Sequence, residues 1–326
     1  PAELMTRELL LLRHGKSDRD TATEDFKRPL KDRGKRGAQR IGVWLAQQQF
    51  LPDRVICSPA ERALVTAQKC CKVMGIGAAE IVQDKRIYQA DPAELLQVLA
   101  DCPASATRVM LVGHNPGLEQ LLEQLVEQPP EIPEDGKLMP TATLARLRTS
   151  SEWDALAKGR ASLLQLIRAS SLPKKFPFPM PDGDDRRDRP AYYYTQSSVI
   201  PYRVDDGQLQ ILIIRSSQDK HWVVPKGIAD PGHSLQDSAR KEAWEEAGVE
   251  GKVDDEALGS YSYPKWGSSC SVTVYPMAVT LQLPEEVWEE RHRGRMWVAP
   301  KKAVEVLKQR EVHPMIVALE KRLAAD

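Results

Sequence analysis

Residues 170–190 read SSLPKKFPFPMPDGDDRRDRP, and no other stretch constrains the fold as much. Pro173, Pro177, Pro179, Pro181 and Pro190, with an Asp/Arg cluster, leave it neither a helical nor a strand period. Proline stiffens such a segment and charge keeps it solvated, which predicts a semi-rigid linker; an ordered strap packed on one domain is the alternative. The chain of 326 residues is thereby split into a domain over 1–170, a linker over 171–191 and a domain over 192–326, each long enough to bury a core. Lys+Arg and Asp+Glu both number 46, so the net charge is zero, and neither a membrane surface nor stable nucleic-acid binding is expected. No apolar run approaches the roughly 18–20 residues of a membrane span. The early run Leu9–Leu12 stops at Arg13-His14 with no leader-type cleavage site, so neither a signal peptide nor a membrane is expected. Cys57, Cys70, Cys71, Cys102 and Cys270 lack metal-type spacing and read as reduced, buried thiols of a cytoplasmic protein.

Before the break, short apolar strands (8–12, 54–57, 108–112) alternate with helical patterns (34–48, 59–73, 92–100). That alternation predicts a parallel α/β sheet covered on both faces, in which ligands collect beyond the carboxyl ends of the strands. Those ends read Arg13-His14-Gly15-Lys16-Ser17, Ser58-Pro59-Ala60-Glu61-Arg62 and Gly113-His114-Asn115-Pro116. If the strands are neighbours, His14, His114, Arg13 and Arg62 converge on one pocket. Guanidiniums bind phosphoryl oxygens bidentately and an imidazole can attack phosphorus. Gly15 would let the backbone approach the anion, with Lys16 and Ser17 beside it. From Arg13 to Arg40 ten basic residues face five acidic ones, a local excess that favours anionic substrates.

RHGKSD, DFKRPLKDRG, SPAERALVTAQ and VGHNPGLE resemble the histidine phosphatase superfamily, and its SixA-type phosphohistidine phosphatase branch in particular. The resemblance implies a three-layer α/β fold without cofactor, in which His14 is the nucleophile and becomes phosphorylated. Arg13, Arg62 and His114 would bind the phosphoryl group and stabilise its transition-state charge. Where many members carry a leaving-group acid, this chain has Gln89, Asp91 and Glu94, none of which stands out. A good leaving group, imidazole or a phosphoanhydride, fits that lack.

After the break the pattern turns to strands (197–202, 208–215, 271–283), with a loop and helix from Pro225-Lys226-Gly227 to Val249 between them. Glu242, Glu245 and Glu246 stand at i, i+3 and i+4, which puts three repelling carboxylates on one face of a regular helix. Mg²⁺ or Mn²⁺ would neutralise them; a solvated face paired with Arg240 and Lys241 is the plainer alternative. With its loop, the segment resembles the Nudix box, which implies an α/β/α fold with a mixed sheet. Glu242, Glu245 and Glu246 would then be metal ligands, and Glu245 or Glu246 also a base. His233 and Lys241 replace the Glu and Arg that pair in the family to brace loop against helix. Because imidazole changes charge near neutral pH, the resemblance implies a softer, pH-sensitive loop.

HWVVPKG, LGSYSYPKWG and RHRGRMWVAPKKAVEVL are similar to the Nudix branch that hydrolyses diphosphoinositol and dinucleoside polyphosphates. That likeness makes Lys226, Lys265, Arg291, His292, Arg293 and Arg295 candidate polyphosphate ligands, with Trp222, Tyr263 or Trp266 to stack a base. Together the resemblances imply a bifunctional phosphohydrolase. A Mg²⁺-dependent Nudix domain would cleave phosphoanhydrides of nucleoside or dinucleoside polyphosphates, and the other domain would remove phosphoryl groups through a phosphohistidine. Alternatives are a phosphohistidine protein phosphatase with a ligand-sensing Nudix domain, and a diphosphoinositol polyphosphate phosphohydrolase. The partners are small anionic substrates or a phosphohistidine protein, and many Nudix proteins are homodimers.

Overall fold

A computed structural model describes residues 5–20 and 22–326, and the chain divides into two compact units, Pro1–Pro190 and Ala191–Asp326. Among the described residues no helix is long and apolar enough to cross a membrane.

In the first unit the elements run β1 (Arg7–Arg13), α1 (Asp32–Gln48), β2 (Arg54–Cys57), α2 (Glu61–Val73), β3 (Ile81–Gln83), α3 (Pro92–Ala100), β4 (Arg108–Gly113), α4 (Gly117–Leu125), β5 (Thr143–Thr149) and β6 (Ala161–Arg168). The sheet order is β3-β2-β4-β1-β5-β6. Leu9 to Leu12 are all buried because both faces of β1 are covered, which is why the strand reads as an unbroken apolar run. Leu9 and Leu11 join Leu95, Leu99, Leu118 and Leu122 of α3 and α4; Leu10 and Leu12 join Ile41, Leu45 and Ala67 of α1 and α2. Each such leucine contributes about 1.5–3 kcal/mol of burial. The result is a three-layer α/β unit.

The sequence pattern predicts a parallel sheet, and the sheet departs from it at one edge. β1, β2, β3 and β4 are parallel, but β5 runs antiparallel to β1, and β6 to β5. Arg146 and Arg148 interrupt the apolar alternation of β5. Arg146 is there because the buried Glu8 of β1 accepts from it at 2.6 Å and from Arg108 at 2.8 Å.

Residues 171–190 adopt the strap of the two alternatives. β7 (Phe176–Phe178) pairs antiparallel with β8 (Asp185–Arg187), and Phe176 is buried. α1 holds this hairpin through Arg40, which donates to the Lys174 carbonyl, and Gln47, which donates to that of Pro181. Proline removes backbone donors and leaves carbonyls for side chains to satisfy.

The second unit comprises β9 (Thr195–Asp205), β10 (Gln208–Arg215), β11 (Trp222–Val223), β12 (Lys226–Ile228), α5 (Leu235–Glu242), β13 (Val249–Val253), β14 (Gly259–Lys265), β15 (Ser268–Gln282), β16 (Arg295–Val298), α6 (Pro300–Val306) and α7 (His313–Ala324). Its sheet is mixed: β15 lies parallel to β9, and β10 lies antiparallel to β9. Alternate residues of β10 face opposite layers: Leu212 and Ile214 pack on Ala239 and Ala243, whereas Ile211 and Ile213 pack with Ala303, Ile316 and Leu319. This is an α/β/α sandwich. Ser234 caps α5 by accepting from the Asp237 N–H, and a π turn, Ala243–Ala247, continues the helix. Gly248, at φ 63°, ends it.

Candidate active sites

Because β1, β2 and β4 are neighbours, their carboxyl ends bring together the residues the sequence singles out. The His14 and His114 rings lie 5.3 Å apart between centroids. His14 Nδ1 is 2.7 Å from the Gly15 carbonyl oxygen, which can only accept, so Nδ1 carries the proton and Nε2 the lone pair. His114 Nε2 is 2.8 Å from the Ser58 hydroxyl. Arg13 donates to the Met139 carbonyl at 3.0 Å, and Arg62 to the Asp25 carbonyl and carboxylate at 2.6 and 3.1 Å. The Nε atoms of Arg13, Arg28 and Arg62 are buried without a hydrogen-bond partner among the described residues, as are those of Arg7 and Arg54 at the far ends of β1 and β2, and only the first three stand where an anion could use them.

Burial, then the neighbouring histidine and arginines, holds His14 down to about 3; burial, then Arg62, holds His114 down to about 4. Both are therefore neutral at pH 7.

Two candidates do other work. Gly15 does not make room for an anion: a Cβ there would meet the Gly34 carbonyl of α1 at 2.5 Å, so its smallness admits the helix. Ser17 is buried and pairs with Leu30, bracing the loop.

The sequence reading missed Asp25, Arg28 and Tyr88. Tyr88 donates to the Asp25 carboxylate at 2.5 Å and Arg28 approaches it at 3.2 Å, while Tyr88 also stands edge-on to His114. Tyr88, then Arg62 and Arg28, hold the Asp25 carboxyl below its usual range. DFKRPL and RIYQ contained these residues, but no spacing rule joins them. Asp91 and Glu94 cap the start of α3 by bonding each other's N–H.

In the second unit, Glu242 and Glu246 converge side by side, while Glu245 acts on Glu242 by charge alone and completes no three-carboxylate group with them among the described residues. It lies 3.9 Å from Lys241, and the widened π turn is the reason: i→i+5 winding keeps i and i+4 aligned and swings i+3 away. Among the described residues no three His, Cys, Asp or Glu side chains are arranged to hold a metal ion. Burial first, then the neighbouring Glu246 and Glu245, raises Glu242; burial raises Glu246 too, against the opposing pull of Arg293 and the Lys226 N–H. A Cβ on Gly227 would lie 2.1 Å from the Glu242 carboxyl, so this glycine is the cradle for that side chain. Glu246 accepts from the Lys226 N–H at 3.3 Å. Two close carboxylates suit Mg²⁺, which commonly takes one or two carboxylates and completes its shell with substrate phosphates and water.

The brace is not lost with the Glu and Arg. Lys241 donates to Asp230 at 3.0 Å, so Asp230, not the exposed His233, supplies the acid. The softer, histidine-dependent loop implied by the sequence is corrected accordingly. Arg295, expected to hold a polyphosphate, is engaged within the protein: it donates to the carbonyls of Ala247, Gly248 and Leu283 and lies over Trp288. Arg293 is 3.6 Å from Glu246 and bonds Glu290 and the Arg215 carbonyl, so it orients an acid. The Lys226 and Lys265 ammoniums sit over Tyr263 and Trp266, and the Arg215 guanidinium over Trp222.

The family model for the histidine phosphatase superfamily (branch 1) matches residues 9–91, and that for the NUDIX domain matches 194–319. The chain belongs to the Nudix family through its second unit, and its first unit carries the match to the histidine phosphatase superfamily. Nudix hydrolase 17, mitochondrial, of Arabidopsis thaliana is 31% identical over 136 residues, 39% of this chain and 73% of its own length. An uncharacterized protein of Mycobacterium tuberculosis (strain ATCC 25618 / H37Rv) is 30% identical over 157 residues, 47% of this chain and 96% of its own. The structure of the protein histidine phosphatase SixA complexed with tungstate aligns at 20% identity and a TM-score of 0.42, covering 50% of this chain and 97% of that one. The fusion is a hydrolase acting on phosphate bonds.

Two predictions follow from the geometry of these domains. In the histidine phosphatase domain, folded-state values of about 3 and 4 lie below the unfolded value of about 6.5. The stability that depends on neutral imidazoles is complete above that unfolded value and drains as pH falls from 6.5 towards 4. Each histidine costs up to about 1.4 kcal/mol per pH unit in that window. Thermal midpoints across it should fall less steeply in His14→Asn and His114→Asn; an unchanged slope would refute the assignment. In the Nudix domain, Asp230→Ala should lower kcat/KM about five- to tenfold, the worth of about 1 kcal/mol from a partly buried pair. Exchanging the two charges, Asp230→Lys with Lys241→Asp, should recover part of that loss in steady-state assays; no recovery means the pair is not a brace.

Proposed function

We propose that the chain is a bifunctional phosphohydrolase of anionic metabolites with extended phosphate chains, nucleoside and dinucleoside polyphosphates foremost. The observation that carries this reading is the neutral His14, its Nε2 lone pair free for attack, beside the unpartnered donors of Arg13, Arg28 and Arg62.

His14 Nε2 attacks phosphorus. An N–P bond forms as the bond to the leaving group breaks, and that bond's electron pair departs with the leaving group. Arg13 and Arg62 bind the equatorial oxygens where charge gathers, with His114 beside them. Water then attacks the phosphohistidine, the N–P bond breaks, and phosphate leaves with His14 regenerated. Asp91 and Glu94 are engaged at the start of α3 and Asp25 is held ionised, so the leaving group departs without a carboxylic acid. That favours phosphoanhydrides and phosphoramidates over simple esters.

In the Nudix domain Glu242 and Glu246 would hold Mg²⁺ or Mn²⁺, which supplies Lewis acidity for a water and for the pyrophosphate oxygens. Gly227 gives Glu242 its place, while Arg293 and the Lys226 N–H orient Glu246. Glu245, with one side chain still 31% exposed, is the carboxylate left to accept a proton. Nudix cleavage yields terminal monophosphates and the histidine phosphatase domain removes a terminal phosphoryl group, so the two act in sequence. The burial of all five cysteines, with Cys57, Cys70, Cys71 and Cys102 free, supports a reducing compartment such as the cytoplasm.

Incubation with diadenosine polyphosphates, nucleoside triphosphates, 8-oxo-dGTP and a diphosphoinositol phosphate in Mg²⁺ tests the Nudix half. Cleavage at an internal phosphoanhydride of at least one is expected; turnover of none overturns it.

A further inference from the structure

We propose that the cavity beside Arg13 is a second anion subsite, so that the histidine phosphatase domain acts on substrates whose leaving group itself carries a phosphate. The inference rests on the reading of Arg13, Arg62, His14 and His114 as the phosphoryl site, and it narrows the substrate class of that site to diphosphates and bisphosphorylated small molecules.

The cavity measures about 520 Å³, and its charged walls are Arg13, Lys16, Arg19, Lys137, Glu119 and Glu123. With Arg13 already serving the phosphoryl site, Lys16, Arg19 and Lys137 stand against Glu119 and Glu123, which leaves a surplus of one positive charge for a second anion. Glu119 is already engaged, accepting from the Met139 N–H at 2.8 Å. Arg19 has no ion pair among the described residues and instead depresses both Arg13 and Arg28 by like-charge repulsion, after burial has done so. Like charges gathered without a partner raise the energy of the empty site and make an anion welcome. Lys16 also lacks an ion pair among the described residues. Asp135 beside Lys137 is shared with Arg168, which grips it at 2.6 and 2.9 Å, so it offsets the Lys137 charge only in part.

Arg13 belongs to both places, so the two subsites are contiguous. A terminal phosphoryl group on His14 and the next phosphate among Lys16, Arg19 and Lys137 fit one diphosphate. A phosphohistidine protein offers a neutral imidazole as its leaving group and nothing for these cations to hold. The proximal phosphate of a nucleoside diphosphate is the match.

Calorimetry with the intact chain provides the test, with inorganic phosphate and methylenediphosphonate, whose P–C–P bridge resists cleavage, as probes. One added charge-assisted contact is worth roughly tenfold in affinity. The wild type should bind the diphosphonate at least about tenfold more tightly than phosphate. Arg19→Ala and Lys137→Ala should each shrink that ratio, and their combination should bring it within about threefold of unity. Glu123→Gln, which removes a repelling charge, should enlarge it. Taking the ratio within each variant cancels any general loss of folded protein. A wild-type ratio near one, or a ratio that these variants leave in place, overturns the second subsite alone. Phosphate that fails to bind the wild type overturns the phosphoryl site beneath it.

Discussion

His14→Ala is expected to cut phosphate release by the histidine phosphatase domain by about a thousandfold or more, because it removes the atom that bonds to phosphorus. The neighbouring substitutions should grade below it. Arg62→Ala loses two bonds to Asp25 as well as a phosphoryl ligand, so part of its cost is a displaced 24–28 segment. His114→Asn keeps a hydrogen-bonding group near Ser58 and should retain more activity than His14→Ala. A rapid acid-labile label, trapped on the wild type and absent from His14→Ala, reads the intermediate itself. A label that persists in His14→Ala would place the nucleophile elsewhere.

The second large effect is expected of Glu246→Gln in the Nudix domain: a loss of about a hundredfold or more in turnover, with weakened Mn²⁺ binding. Glu246 is the better buried of the converging pair, and Arg293 and the Lys226 N–H are arranged around its negative charge. An amide removes that charge and leaves Arg293 facing a neutral group. Glu245→Gln provides the contrast. Its partner in the structure is Lys241, so it should disturb Mn²⁺ affinity far less than Glu246→Gln, whatever it does to kcat. Equal losses of Mn²⁺ affinity in the two variants would restore the three-carboxylate site that a regular helix predicts.

The parts of the fold legible in the sequence are those where burial dictates composition. Leu9–Leu12 had to be apolar throughout because two helical layers cover β1, and the strand ends that follow carry the proposed phosphatase residues in plain order. β5 is hard to read because Arg146 answers the buried Glu8, a partner 138 residues away. Gly15 shows the same limit: its need for no side chain comes from Gly34, which only the folded chain sets opposite. In the Nudix box, the i, i+3, i+4 argument assumes a 3.6-residue turn, and the π turn at 243–247 breaks that assumption for Glu245 alone. His233 and Lys241 read as two losses until Asp230 is seen beside the lysine. Arg293 and Arg295 look alike in RHRGRMW, yet one faces an acid and the other caps backbone carbonyls. In each case the deciding partner is remote in sequence.

Product analysis on one diadenosine polyphosphate with Mg²⁺ asks directly whether two phosphohydrolases in one chain act in sequence. The wild type should release nucleotides and inorganic phosphate. His14→Ala should still split the dinucleotide but release no inorganic phosphate, and Glu246→Gln should leave the dinucleotide intact. Both products surviving in His14→Ala, or both vanishing in that variant, would contradict the division of labour between the domains.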